Sequence, residues 1–274
     1  MSPVLACSVR GCGLDLTRGE HAWRCARGHS FDIARSGYVN LLQPQDRRSP
    51  DAGDSGSMID ARWRVFTGGP GREIFERFVG RAAALPLPDG AVVVDLGCGS
   101  GDVLGALARA RAIDGIGIDL STPAVDRAAR TFPDLTWVAA NADRRLPLLD
   151  ASVALVLSLH ARRNPPECAR VLSAGGLLLV AVPAADDLAE LREAVQGSAD
   201  PRDRGDALVE AHAAHFKVLD RFVARHVINA DHAQILDLMR GTYRGFRRRN
   251  AARLEALHGT EVTLASELFL FGAR

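Results

Sequence analysis

Val92-Val93-Val94-Asp95-Leu96-Gly97-Cys98-Gly99-Ser100-Gly101 is the most informative stretch of this 274-residue chain. An apolar run of strand length stops at a glycine-rich turn, and the residues beyond it can start a helix. Glycine at 97, 99 and 101 lets the backbone take positive φ and come close to a ligand, so the turn reads as a cradle for a cofactor that carries an adenosine. Outward from it, helices near 102–111 and 123–131 alternate with strands near 115–119 and 135–139, and another strand covers 152–159. That alternation specifies an α/β fold with a parallel sheet covered on both faces. A helix from about Arg72 to Ala84, with Ile74, Phe75, Phe78 and Val79 on one side, leads into the first strand through a Leu-Pro-Leu-Pro-Asp-Gly turn.

Spacing separates the nucleotide readings. The dinucleotide fingerprint needs its third glycine one place later, and Asp102 stands where a pyrophosphate would press; no Lys-Ser/Thr pair follows, which excludes a P-loop. Asp95 with Gly97, Gly99 and Gly101 instead resembles motif I of class I S-adenosylmethionine-dependent methyltransferases, the alternative being a tight turn that holds nothing. Asp119 ends the next apolar strand, near the distance beyond the glycine turn at which ribose hydroxyls are gripped. It can also cap the helix starting near Thr122-Pro123, and the two roles are compatible. Leu120, beside it, and Ser158, near the end of the fourth strand, are counted with the cofactor-binding residues. The polar turn after Trp137–Ala140 lies where this class holds the adenine amino group, with Asp143 the first candidate and Asn141 the second.

The net charge of +1 announces no nucleic-acid partner by itself. No apolar run approaches the ~20 residues of a membrane span and the start lacks a signal pattern, so the expectation is a cytoplasmic protein with no membrane partner. Five cysteines in the reducing compartment expected here argue for metal or chance rather than disulfides. Cys7, Cys12, Cys25 and His29, in the pattern C-x4-C-x12-C-x3-H, can close a tetrahedral Zn(2+) site with no open position. The first knuckle is wider than the usual two-residue spacing, and the bland reading is four reduced side chains without metal. Glu210, His212 and His215 read as a solvated helix face.

His29–Leu42, Asp51–Ser55, Met58 and Ala61-Arg62 resemble the signature of the RlmA and TlrB type of 23S rRNA guanine-N1 methyltransferases. The resemblance implies a zinc-binding RNA-recognition module over 1–42 and a linker over 43–70 that lies across the donor pocket, where Asp54, Ser55 and Arg62 help close it. It also implies a methyltransferase domain over 71–274 with a Rossmann-like, seven-stranded, mostly parallel sheet. Strand signals at 217–228 and 261–271, separated by a helix over 231–239, fit the antiparallel closing pair of such a sheet. His160 and Arg162 follow the fourth strand, where open α/β sheets place their ligands. His160 is a candidate to accept the guanine N1 proton or to hydrogen-bond the base; this pair departs from the family's usual aromatic and Ala-Pro at this point.

Arg240, Tyr243, Arg244, Arg247, Arg248 and Arg249 interleave arginines with aromatics and are the candidate RNA surface, against a merely solvated basic face. The function implied is methylation of N1 of a guanine in a 23S ribosomal RNA hairpin loop, with tylosin-type macrolide resistance and a homodimer as further implications. One rival is methyl transfer to a small natural-product acceptor. Another is a zinc-dependent RNA-binding module on an inactive methyltransferase fold.

Overall fold

In the computed structural model, which describes residues 4–46, 53–197, 203–242, 253–254, 257 and 259–274, the amino-terminal segment forms four short strands. β1 (Thr17–Arg18), β2 (Ala22–Arg24) and β3 (Ser30–Asp32) make an antiparallel three-stranded ribbon. β4 (Val39–Asn40) leaves it and pairs in parallel with a strand of the main sheet.

Two helices follow, α1 (Gly56–Thr67) and α2 (Arg72–Ala83). The chain then alternates: β5 (Ala91–Leu96), α3 (Asp102–Ala110), β6 (Ile113–Asp119), α4 (Thr122–Thr131), β7 (Thr136–Ala139), β8 (Val153–Leu159), α5 (Pro165–Val171) and β9 (Leu172–Pro183). It finishes with α6 (Ala189–Gln196), α7 (Gly205–His212), β10 (Phe216–Ala230), α8 (His232–Thr242) and β11 (Thr260–Ala273). The sheet order is β10-β11-β9-β8-β5-β6-β7-β4, parallel from β9 to β4 and antiparallel where β11 meets β9 and β10. The closing antiparallel pair expected from 217–228 and 261–271 is present.

β5 lies at the centre and buries five of its six residues, which is why its sequence is continuously apolar rather than alternating. Ser121 starts α4 by accepting the Ala124 N–H at 3.4 Å, and Pro123 fills the first turn, where its missing N–H leaves no bond unmade.

Two features depart from expectation. The seven strands expected within 71–274 are present as β5 to β11, and among the described residues β4, from outside that range, adds an eighth at the edge beside β7. Within the stretch 43–70, expected to be linker, Gly56–Thr67 is a helix. Ile59, Ala61, Val65 and Phe66 form its buried stripe, and Arg64 is held by both carboxylate oxygens of Asp237 on α8, at 2.6 and 2.7 Å.

The cores on the two sheet faces explain the role of the amino-terminal strands. One face is covered by α1 to α4, α6 and α8. The other buries Leu5, Leu16, Val39 and Leu41 together with Leu96, Ile118, Val138, Leu146 and Leu148, beside residues of α5 and α7. Main-chain bonds fasten the join, from Ala6 N–H to Pro147 O and from Leu149 N–H to Val4 O, both 2.9 Å. The segment from Val4 to Leu42 is thus a covering layer of the main sheet rather than a bead beside it.

His212 corrects the solvated-face reading of α7. It is buried, its Nδ1 lies 2.7 Å from Leu208 O, and its ring stacks on Phe271 with centroids 5.2 Å apart.

Candidate active site and metal centre

The turn after β5 runs through left-handed backbone at Gly97, Gly99 and Gly101, with φ of 72°, 54° and 83°. The three glycines serve different ends. A Cβ on Gly97 would lie 2.3 Å from the Ala161 Cβ, and one on Gly101 2.4 Å from the buried Trp137 ring, so protein already occupies those spaces. At Gly99 a Cβ would meet nothing within 4 Å. Only there does the missing side chain leave room for a ligand against the backbone.

Asp119 closes this turn from below. Its Oδ2 accepts the Gly99 N–H at 2.9 Å and its Oδ1 accepts the Ser121 N–H at 2.8 Å, so the strand-end carboxylate both shapes the cradle and starts the next turn. Burial raises its pKa, against those two backbone bonds. Burial, then the neighbouring Asp119 and Asp102 carboxylates, pushes Asp95 well above the usual carboxylate range, and Asp102 is raised by burial as well. Three carboxyl groups crowded beside one glycine turn resist ionising together, so a bound cation, which eases their ionisation, is favoured there over a pyrophosphate, which opposes it further. The donor set therefore fits the sulfonium and ammonium of S-adenosylmethionine and does not fit a dinucleotide.

Leu120 is half-buried beside Asp119. Ser121 Oγ donates to Asp54 O at 2.7 Å, and Asp54 pairs with Arg62 at 2.7 Å, which brings residues 53–62 over this edge of the cradle. Ser55 precedes α1 without a side-chain cap bond.

Across the cradle, the segment after β8 is less open than expected. Ser158 is fully buried and its Oγ donates to Ala161 O at 3.4 Å, bracing the loop. Arg163, which with His160 to Arg162 was expected to border the substrate pocket, instead braces the loop from within: it donates to Ala161 O at 2.8 Å and to His212 Nε2 at 3.2 Å, and burial lowers its pKa to about 10. Arg162 is largely exposed and reaches Asp143 Oδ2 at 3.2 Å, while Asn141 Oδ1 accepts the Asp143 N–H at 3.0 Å. Arg162 and the adenine-side candidates thus form one rim.

His160 sits in left-handed backbone at φ 54°, with Nε2 2.8 Å from Ser266 Oγ on β11 and its ring against Phe66 at 5.9 Å. Burial, with the charges of Arg62 and Arg204, lowers its pKa to about 3. So weak a base is poorly matched to the guanine N1 proton, and the hydrogen-bonding role fits this environment better. The stability consequence has a definite sign. The unfolded imidazole titrates at 6.5, so stability is fully present above that value and declines as pH falls toward 3. His160→Gln is expected to flatten this decline, which urea titrations between pH 4 and 7 will show as a smaller loss than in the wild type.

The four candidate metal ligands converge despite the widened first knuckle. The Sγ atoms of Cys7, Cys12 and Cys25 and a ring nitrogen of His29 all lie within 4.8 Å of one another, with Cys12–Cys25 at 3.9 Å and both Cys7 and Cys25 3.4 Å from His29 Nδ1. A tetrahedral zinc site has edges of about 3.5 to 3.8 Å, so the set fits Zn(2+). Gly11 and Gly13 take positive φ on either side of Cys12 and let the wide knuckle fold back on itself.

Arg240 is exposed at the end of α8. Tyr243, Arg244, Arg247, Arg248 and Arg249 lie outside the described residues.

The comparisons with known proteins match this geometry. A family model described as "RlmA, N-terminal" covers residues 6–50, and one described as "Methyltransferase domain" covers 93–176. The chain is 39% identical over 226 residues to a Streptomyces fradiae protein named 23S rRNA (guanine(748)-N(1))-methyltransferase, covering 81% of this chain and 79% of that one. It is 36% identical over 261 residues to a Micromonospora griseorubida protein named putative 23S rRNA (guanine-N(1)-)-methyltransferase, covering 86% and 85%. Among solved structures, YjhP from E. coli superposes with a TM-score of 0.53 at 20% identity over 80% of this chain and 98% of that one, which shows the fold. Zinc ribbon, donor cradle and near full-length likeness agree, and the chain belongs to the family of 23S rRNA (guanine-N1-)-methyltransferases.

Proposed function

We propose that this chain transfers a methyl group from S-adenosylmethionine to N1 of a guanine in a hairpin loop of 23S ribosomal RNA. The observation that supports it most is the cradle at Gly99 and Asp119, set among three carboxylates that suit a cationic donor. Family membership names the acceptor class. The donor, when bound, supplies an already activated methyl group, so the protein's contribution is alignment and a dry enclosure.

Asp119 takes the ribose hydroxyls with Leu120 beside it, and Asp143 and Asn141 face the adenine. Asp95, Gly97 and Gly101 hold the cradle's shape, Ser158 and Arg162 its far rim, and His160 hydrogen-bonds the base. Cys7, Cys12, Cys25 and His29 hold zinc as a structural ion. The division is 1–42 for RNA recognition, 43–70 over the donor and 71–274 for methyl transfer. A guanine in a loop reaches the donor at the least unstacking cost, a few kcal/mol. Arg240 with Tyr243, Arg244, Arg247, Arg248 and Arg249 supplies phosphate and stacking contacts. The same reading places two copies around one RNA and gives protection against tylosin-type macrolides. No helix among the described residues is long and apolar enough to cross a membrane; the site of action on this reading is the cytoplasm.

N1-methylguanine blocks base pairing, so primer extension on 23S rRNA tests this directly. Cells carrying the gene should show one added stop at a hairpin-loop guanine, and the same stop should appear when purified protein and donor are added to rRNA from cells without it. Absence of a stop with rapid methylation of a small phenol or amine would favour the natural-product acceptor.

A further inference from the structure

The turn after β9 presents a carboxylate that the account above leaves without a task. Asp187 follows the carboxyl end of β9, on the same rim of the sheet as the donor loop, and a continuous line of contacts joins the two. Ala161 abuts Gly97, and His160, one residue earlier, touches Ser266 at 2.8 Å. Ala265, beside Ser266, donates its N–H to Asp187 Oδ1 at 2.9 Å.

The carboxylate is held rigidly. Ala184 N–H donates to Ala265 O at 2.9 Å, Leu188 N–H to Thr263 O at 2.7 Å, and Glu190 takes both the N–H and the hydroxyl of Thr263. Leu188 is forced into left-handed backbone at φ 54°, as is His160 after β8. Two bulky residues in that conformation on one rim are a strain that only the surrounding structure maintains, a condition that concentrates at sites of function. The second oxygen, Oδ2, has no hydrogen-bond partner among the described residues; the residue as a whole keeps some exposed surface although its carboxyl group lies deep among neighbouring atoms.

On the functional reading proposed above, we infer that Asp187 is the base that accepts the proton from guanine N1. A guanine presents N1–H as a donor on its Watson–Crick edge, which a carboxylate oxygen can accept. As that proton passes to Oδ2, the N1 electron pair forms a bond to the sulfonium methyl carbon. The carbon–sulfur bond breaks toward sulfur, giving N1-methylguanine and S-adenosylhomocysteine, and the carboxyl then releases its proton to water. His160, neutral in the working range, takes a hydrogen bond and not the proton.

Burial raises Asp187 to about 7, against the Ala265 N–H and the charges of Arg192 and Arg204, with Asp186 adding to the rise. A base with that value is matched to neutral pH. The charged groups facing it are Asp186 on its own turn, itself paired with Arg225 of β10, then Arg192 of α6 and Arg204 ahead of α7. Arg204 also acts on His160, together with Arg62.

Single-turnover methylation of 23S rRNA from cells lacking this protein tests the assignment with Asp187→Asn, whose Oδ1 still accepts from Ala265. The wild-type rate should rise with pH through about 7 and then level. The variant should be about 100-fold slower at pH 7, with its residual rate rising about tenfold per pH unit and no plateau near 7. Donor affinity by calorimetry should stay within about twofold, because Asp187 is on the acceptor side. Should the asparagine variant melt early, Asp187→Glu keeps a titrating group there and must retain the plateau. An asparagine variant within about threefold of wild type at pH 7, or a glutamate variant without the plateau, overturns the assignment alone. Wild-type protein that leaves 23S rRNA unmethylated overturns it together with the functional reading.

Discussion

Asp119→Ala is expected to weaken S-adenosylmethionine binding by about 100-fold to 10,000-fold, the largest effect of any single change at the cradle. Each charged hydrogen bond to a ribose hydroxyl contributes about 1.5 to 3 kcal/mol, and each 1.4 kcal/mol is tenfold in affinity. The same substitution leaves the Gly99 and Ser121 N–H groups without their acceptor, so the open position at Gly99 loses its support as well. Calorimetry of the variant measures the loss, and thermal melting separates it from unfolding. Asp119→Asn retains one accepting oxygen and should fall between the two. An alanine variant that binds donor as the wild type does would remove Asp119 from the site.

Loss of the zinc set should reach well beyond the ribbon that carries it. Cys25→Ser removes a thiolate from a four-ligand site whose metal contributes on the order of 10 kcal/mol to the folding of such small modules. Leu5, Leu16, Val39 and Leu41 are all within 2% of complete burial against the main sheet. Exposing each costs roughly 1.5 to 3 kcal/mol, so the four together rival the roughly 5 to 15 kcal/mol that stabilises a typical domain. The variant, or the wild type stripped by a strong chelator, should therefore unfold in one transition at a much lower temperature. One zinc per chain by atomic absorption in the wild type, and none in the variant, completes the measurement. A variant that loses the metal yet melts at the wild-type temperature would show that the ribbon folds and unfolds by itself.

The two predictions rest on residues of different visibility. Asp119 stands out in the chain because an apolar strand ends on it at a fixed distance from Gly101, and both facts are local. Cys7, Cys12, Cys25 and His29 stand out because metal ligation needs those side chains at short spacings. By contrast, α1 was hidden behind a Pro-, Asp- and Gly-rich lead, although Ile59, Ala61, Val65 and Phe66 share one face; what makes it a helix is docking against α8, near the other end of the chain. His160 was visible as a histidine at a strand end, yet its proton affinity is set by burial and by Arg62 and Arg204, which no neighbouring residue announces.

The linear chain carries the alternation of strands and helices, the left-handed turn at 97–101 and the metal knuckles, because periodicity, glycine conformation and ligand spacing act over a few residues. Folding in three dimensions adds the eighth strand, the shared core under the zinc ribbon, the Arg163 brace and the line of contacts from His160 through Ser266 and Ala265 to Asp187. Those depend on contacts between residues far apart in the chain, whose energies exist only once the sheet has brought them together.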